Sequence, residues 1–346
     1  MTTTNSVLIS NPSSDFALNK LRARRGKTRP IMRIAQGILA VLALFGIVAA
    51  TGATYEGIAD AKDHSAQAMT GRLVDVGGYR LHLDCRGQGT PTVIMDAGLG
   101  GSSLDWSLVQ PELASVTQVC SYDRAGMGFS DLGPQPRSPS HMAEELHRLL
   151  ENGGVSGPYV LVAHSLAGKT ARMFAAAHPE EVAGVVMVDA RGEMLDTEAD
   201  TAMFREALRS EATTYAIARR LGIARLFGSR LIDYPMVEPA LATQIVLAKT
   251  NVGAIQTMVD EGMARSDSDA TLASGTLGQT PLVVIAAEDS MRSIPSWQEA
   301  QLAMTELSTH GRLIVAEHSD HYIQLAQPGI VLEAVKDVLD EARTRQ

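Results

Sequence analysis

Apolar positions along this chain fall into three patterns, and each predicts a different kind of element. From Ile34 to Ala53 the residues read IAQGILAVLALFGIVAATGA, 20 positions without a charge. Wound as an α-helix, that run is about 30 Å long, the thickness of a bilayer's hydrocarbon core. A core helix of a soluble domain would show a polar face that this one lacks. From residue 71 the apolar runs shorten to strand length. RLVDV and YRLHLDC flank two glycines, the pattern of a hairpin with a tight turn. TVIMDA (92–97), TQVCSYD (117–123), YVLVAH (159–164), AGVVMVD (183–189), PLVVIAA (281–287) and GRLIVAE (311–317) follow as further strands. Between them lie helical patterns, notably HMAEELHRLLENGG (141–154), the stretch after Ser165, and segments starting at Trp297 and Pro328. Apolar strands alternating with helices predict an α/β fold, a mostly parallel sheet covered on both faces. The third pattern, residues 191–280, is rich in Ala, Leu, Met and Arg without a strand signal, and predicts a helical insertion.

These patterns divide the chain into a basic segment (1–33), a transmembrane helix or signal anchor (34–53), a polar linker (54–70), a core (71–190 and 281–346) and an inserted cap (191–280). With 45% hydrophobic and 20% charged residues, the composition is that of a globular protein and excludes disorder. Charge adds an orientation. Residues 1–33 hold seven Lys/Arg against Asp15, a net of +6, so the rest of the chain carries −15 where the whole carries −9. Basic residues before a first apolar helix favour the cytoplasmic side, which puts the following domain outside the membrane. An acidic exterior domain is a poor fit to nucleic acid. Small residues near Thr51 and Ala53 resemble a signal-peptidase site, and cleavage there would release a secreted protein. The apolar run is longer than a signal peptide's, so an uncleaved anchor is expected. Cys85 and Cys120 are the two cysteines. In an oxidising compartment they are a candidate disulfide. Their spacing, without paired histidines, does not suit a metal.

Candidate chemistry concentrates in four stretches. Ser165 sits at a strand-to-helix junction between Ala163 and Ala167, small enough for the sharp nucleophile elbow that lifts a hydroxyl above a sheet's carboxyl edge. Alone, it reads equally as a helix-capping serine. DAGLGGSS (96–103) is a glycine-rich loop after a strand, able to turn an N–H toward a ligand. YDRAGMGFSD (122–131) is a second such loop, whose Asp123 and Arg124 brace loops rather than perform chemistry. AEHSDHYIQLAQP (316–328) places His321 between the last strand and the last helix, late in the order Ser, acid, His.

Together these four stretches resemble the α/β-hydrolase family over residues 71–344. The resemblance implies an eight-stranded sheet whose second strand is antiparallel and lies beside the fourth, with a cap inserted after the sixth. That arrangement brings Cys85 next to Cys120 and makes their disulfide expected. It also implies that Ser165 attacks an acyl carbon, His321 moves the proton, and a carboxylate holds the imidazole. Oxyanion donors by position are the backbone N–H groups of Leu99 and Leu166. Asp289, after the seventh strand, is the expected acid, with Glu288 beside it and Asp189 at the end of the sixth strand as alternatives. Dehalogenases and epoxide hydrolases of the family carry Asp at the elbow, where this chain has Ser. Carboxylesterase or lipase activity leads. Amidase, carbon–carbon bond hydrolase and cofactor-free haloperoxidase activities use the same triad, and a non-catalytic receptor or scaffold would keep the fold. No cofactor is called for. The expected partners are a small-molecule acyl substrate and the membrane through residues 34–53, with no obligate protein partner evident. Met203, Met236, Met258 and Met263 in the cap suit either an apolar acyl pocket or plain core.

Overall fold

The computed structural model describes residues 12–66, 70–192, 198–231, 234, 236–264 and 275–345. It divides into two units, Met1–Ile58 and Ala59–Gln346. A single helix, α1 (Pro12–Ala66), carries the N-terminal apolar run. Within it Met32–Ala59 is long and apolar enough to cross a membrane, a longer stretch than residues 34–53 alone. The segment expected as a linker is helical through Ala66, because Ala, Glu and Lys favour helix there and Gly57 is its sole strong breaker. Residues 67–69, and residues 1–11 of the basic segment, lie outside the described residues.

The second unit is built on an eight-stranded sheet of β1 (Arg72–Asp75), β2 (Arg80–Arg86), β3 (Thr92–Asp96), β4 (Val119–Asp123), β5 (Tyr159–His164), β6 (Val182–Val188), β7 (Leu282–Ala287) and β8 (Gly311–Ala316). Their spatial order is β1-β2-β4-β3-β5-β6-β7-β8. β2 runs antiparallel to both β1 and β4, and the remaining pairs are parallel. The β1–β2 turn passes through Gly77 and Gly78 at φ of +120° and +98°, a conformation L side chains avoid. Cys85 and Cys120 face each other in register across β2 and β4 and are joined as a disulfide.

Alternation along the strands feeds two cores. Ile94, Leu161, Val185 and Val284 pack on one face with Leu146, Leu149 and Phe174. Val93, Val160, Val186 and Val283 pack on the other with Trp106, Leu113, Val335 and Leu339. Successive residues pointing to opposite faces, all buried, are what a sheet sandwiched between helices requires. The first face is covered by α3 (Pro139–Asn152) and α4 (Ala167–Ala177), and the second by α2 (Gln110–Leu113) and the helix Pro328–Thr344. Between β6 and β7 the chain leaves the sheet as α5 (Glu198–Arg220), α6 (Ile223–Leu231), α7 (Pro239–Thr250) and α8 (Val252–Met263). Of the span expected as a cap, residues 193–197, 232, 233, 235 and 265–274 lie outside the described residues.

Candidate active site

β5 ends at His164, α4 begins at Ala167, and the backbone reverses between them at Ser165, whose φ is +53°. Left-handed backbone at a non-glycine residue costs of order 1–3 kcal/mol and is held only by its surroundings. Here they are close. The Ser165 N–H donates to Val188 O at 3.1 Å, and Ser165 O accepts from the N–H groups of Gly168 (3.1 Å) and Arg191 (2.9 Å). Ala163 and Ala167 are buried against this turn, and a Cβ on Gly168 would lie 2.8 Å from the Ala190 Cβ. Alanine thus suffices at two positions where the elbow motif prefers glycine, while Gly168 takes the tightest contact.

His321, in the loop after β8, places Nε2 2.9 Å from Ser165 Oγ and Nδ1 2.6 Å from Asp189 Oδ2. A carboxylate only accepts, so the proton sits on Nδ1 and Nε2 is left to receive the serine's. Asp189 follows β6, is fully buried, and has a positive φ of 41°. Its Oδ1 accepts from the Ala287 N–H (2.9 Å) and Trp297 Nε1 (2.8 Å), and its Oδ2 also accepts from Ser290 Oγ (2.5 Å). The carboxylate is thereby satisfied on both oxygens, which keeps a buried charge tolerable.

This corrects the expectation for the acid. Asp289 does not reach His321. A helix, Glu288–Ser293, starts directly at the end of β7 and turns the Asp289 side chain outward, half exposed and 3.2 Å from Arg292 Nη1. Glu288 also faces away, pairing with Arg292 and accepting from the His318 N–H at 2.7 Å. That N–H holds the Glu288 carboxyl below its ordinary range, with Arg292 adding to the effect.

The pattern of the Alpha/beta hydrolase family matches residues 93–334 of the chain. The chain belongs to the alpha/beta hydrolase family. An uncharacterized protein of Schizosaccharomyces pombe is 30% identical over 225 residues, 64% of this chain and 41% of that protein, so the chain spans well under two thirds of that relative's length. RutD of Cronobacter sakazakii, which bears a carbamate-hydrolase name, is 29% identical over 251 residues, 69% of this chain and 87% of its own. Among solved structures, a thermophilic esterase from Thermogutta terrifontis superposes with a TM-score of 0.59 at 21% identity, covering 78% of this chain and 98% of the esterase.

The glycine loop after β3 lies against the elbow. A Cβ on Gly98 would meet His164 Nδ1 at 2.7 Å and Ser165 Cβ at 3.0 Å, so only glycine allows that approach. Among the described residues, the N–H groups of Leu99 and Leu166 have no backbone or side-chain acceptor. Asp123 ties the two loops together, accepting from the N–H groups of Ser103 (2.6 Å) and Phe129 (2.9 Å).

Several site residues carried no sequence signal. His164 donates from Nε2 to the backbone carbonyl of His321 at 2.8 Å. Burial, then the neighbouring His321, hold its pKa well below the ordinary value, so it stays neutral. Its mark was available, since it directly precedes Ser165, but a buried histidine and a surface one look alike in sequence. Ser290 and Trp297, the Asp189 donors, stand more than 100 positions from it. Beside Tyr322 opens a cavity of about 750 Å³ lined mainly by apolar side chains of α5, α6 and α7, with Lys249 and Asp320 among its polar groups. Lys249 donates to the Tyr322 hydroxyl at 3.1 Å and lies 3.9 Å from buried Asp105. Burial opposes its charge, but Asp105 and Tyr322 outweigh that and raise its pKa. Of the cap methionines, Met258 lies in a small cluster with Met127 and Leu208 and is packed by Met263, while Met203 and Met236 are exposed.

Proposed function

We propose that the chain is a serine hydrolase that cleaves carboxylic esters through an acyl-enzyme, with Ser165 as nucleophile, His321 as general base and then acid, and Asp189 as the carboxylate that orients the imidazole. The observation that carries this reading is the unbroken line of hydrogen bonds from Asp189 through His321 to Ser165 at an elbow. In the first step Ser165 Oγ bonds to the acyl carbon, its proton passes to His321 Nε2, and the tetrahedral oxyanion is met by the Leu99 and Leu166 amides. Collapse expels the alcohol with the proton His321 returns, and water repeats the sequence to free the acid. The apolar cavity beside Tyr322 suits the hydrocarbon part of the substrate. The esterase likeness is one of fold, and the carbamate-hydrolase relative's name describes a carbonyl compound open to the same steps.

An alkyl fluorophosphonate is expected to label the wild-type chain at Ser165 and leave Ser165→Ala unlabelled. Turnover of a panel of p-nitrophenyl esters, carbamates and anilides should then favour the esters. Folded wild-type protein that takes up no label would overturn the reading, and faster carbamate turnover would move the bond.

We propose further that Met32–Ala59 anchors the chain in a membrane, basic end inside and hydrolase unit outside. Charge asymmetry and the disulfide both favour an oxidising exterior.

A further inference from the structure

The guanidinium of Arg124, at the end of β4, is buried at 3% exposure, and all five of its N–H groups have acceptors. Nε donates to Glu261 Oε1 at 2.9 Å and Nη2 to Glu261 Oε2 at 2.9 Å, a bidentate pair with a residue of the cap helix α8. Nη1 donates to Asp96 Oδ1 at 2.7 Å and to the carbonyl of Ala97. The remaining Nη2 proton goes to the carbonyl of Gly98 at 2.8 Å. That carbonyl belongs to the same peptide unit as the N–H of Leu99. A peptide is planar and trans, so fixing its oxygen fixes the direction of its N–H on the opposite side. Drawing electron density toward the oxygen also makes that N–H a stronger donor.

We propose that Glu261 is a positioning residue for the oxyanion site, holding Arg124 so that the Gly98–Leu99 peptide presents its N–H to the developing negative charge. The cap thereby reaches the chemistry through Glu261, Arg124 and one peptide plane. The inference rests on the serine-hydrolase reading above. Glutamine at 261 would offer one acceptor and one NH2 to a guanidinium that needs two acceptors, leaving an Arg124 donor unpaired and shifting the guanidinium. The Gly101 N–H (3.0 Å) would remain as the undisturbed donor to the Gly98 carbonyl, so that the plane is held on one side only.

Phosphonylation of Ser165 reports on this without knowledge of the natural substrate. The Ser165 Oγ–phosphorus bond forms, the P–F bond breaks, fluoride departs, His321 takes the hydroxyl proton, and the phosphoryl oxygen occupies the oxyanion site. The full chain, Glu261→Gln and Ser165→Ala are to be compared for the limiting rate of phosphonylation by an alkyl fluorophosphonate, for its half-saturating concentration, and for melting temperature. A lost oxyanion donor costs about 10² to 10³ in rate, so a misdirected one is expected to lower the limiting rate by about tenfold, with half-saturation within about threefold. A limiting rate within about threefold of wild type, or a loss confined to half-saturation, overturns the proposal while leaving Ser165 as nucleophile. Unlabelled wild type overturns the serine-hydrolase reading itself. Should Glu261→Gln not fold, Glu261→Asp, which keeps the charge and draws it back by one methylene, takes its place under the same two outcomes.

Discussion

At Asp189 three features converge on one carboxylate: the end of β6, a left-handed backbone turn, and hydrogen bonds from Ala287, Ser290 and Trp297 that leave Oδ2 aimed at His321. Asparagine there would keep the acceptor for Ala287 and Trp297 but turn an NH2 toward the imidazole and favour the wrong tautomer. Asp189→Asn is therefore expected to cut turnover by up to about 10⁴ with the fold intact. Asp289→Asn and Glu288→Gln should stay near wild type, and kcat for the three variants decides the matter. His164 carries a second expectation. Its folded pKa is depressed by burial, then by His321, with Lys249 and Arg124 adding in the same direction. Below the unfolded value of about 6.5 the unfolded chain takes up a proton that the folded chain refuses, so stability falls as pH drops through that range. Urea midpoints at pH 7 and pH 5 should show a smaller acid loss in His164→Asn than in wild type.

Among the elements, β2 and β4 are joined twice, by a ladder and by a covalent bond. The disulfide spans 35 residues of sequence, and on the chain-entropy account such a closure stabilises by about 3 to 4 kcal/mol. Reductant is expected to lower the melting temperature, with Cys85→Ala/Cys120→Ala matching the reduced protein. Two free thiols titrated in unreduced, denatured protein would remove the bridge. The same region brings the reactive loops together, because β3, β4 and β5 are neighbours in the sheet and their carboxyl ends share one edge. Loops after adjacent parallel strands meet there whatever their separation in sequence, which is how Gly98, Arg124 and Ser165 come to share a site.

For the whole molecule, the pairing of a membrane-length apolar helix with an acidic α/β unit leads to a topological prediction. Protease added to intact cells that make the chain should digest the unit, and protection until lysis would reverse the proposed orientation. Deleting residues 1–58 should move the unit into the soluble fraction. A deleted form that still sediments with membranes would mean that another surface binds them.

Strand lengths, their alternation and the helical insertion were legible in the sequence because burial on both faces of a sheet demands continuous apolar runs, and those runs need no partner to be read. The turn at Ser165 and the loop that carries His321 were legible for a related reason: both are local backbone devices with their own small residues. The carboxylate that meets His321 was not. Choosing among Asp189, Glu288 and Asp289 depends on which carboxylate a helix start turns outward and which a left-handed residue turns in, and adjacent positions in sequence differ there by their direction in space. The donors to Asp189 and the Glu261–Arg124 pair were hidden for the same reason, since the latter joins residues 137 positions apart. Periodicity records which residues are buried. Which buried polar groups meet is decided only when the chain is packed, because each must find a partner within about 3 Å once water is excluded.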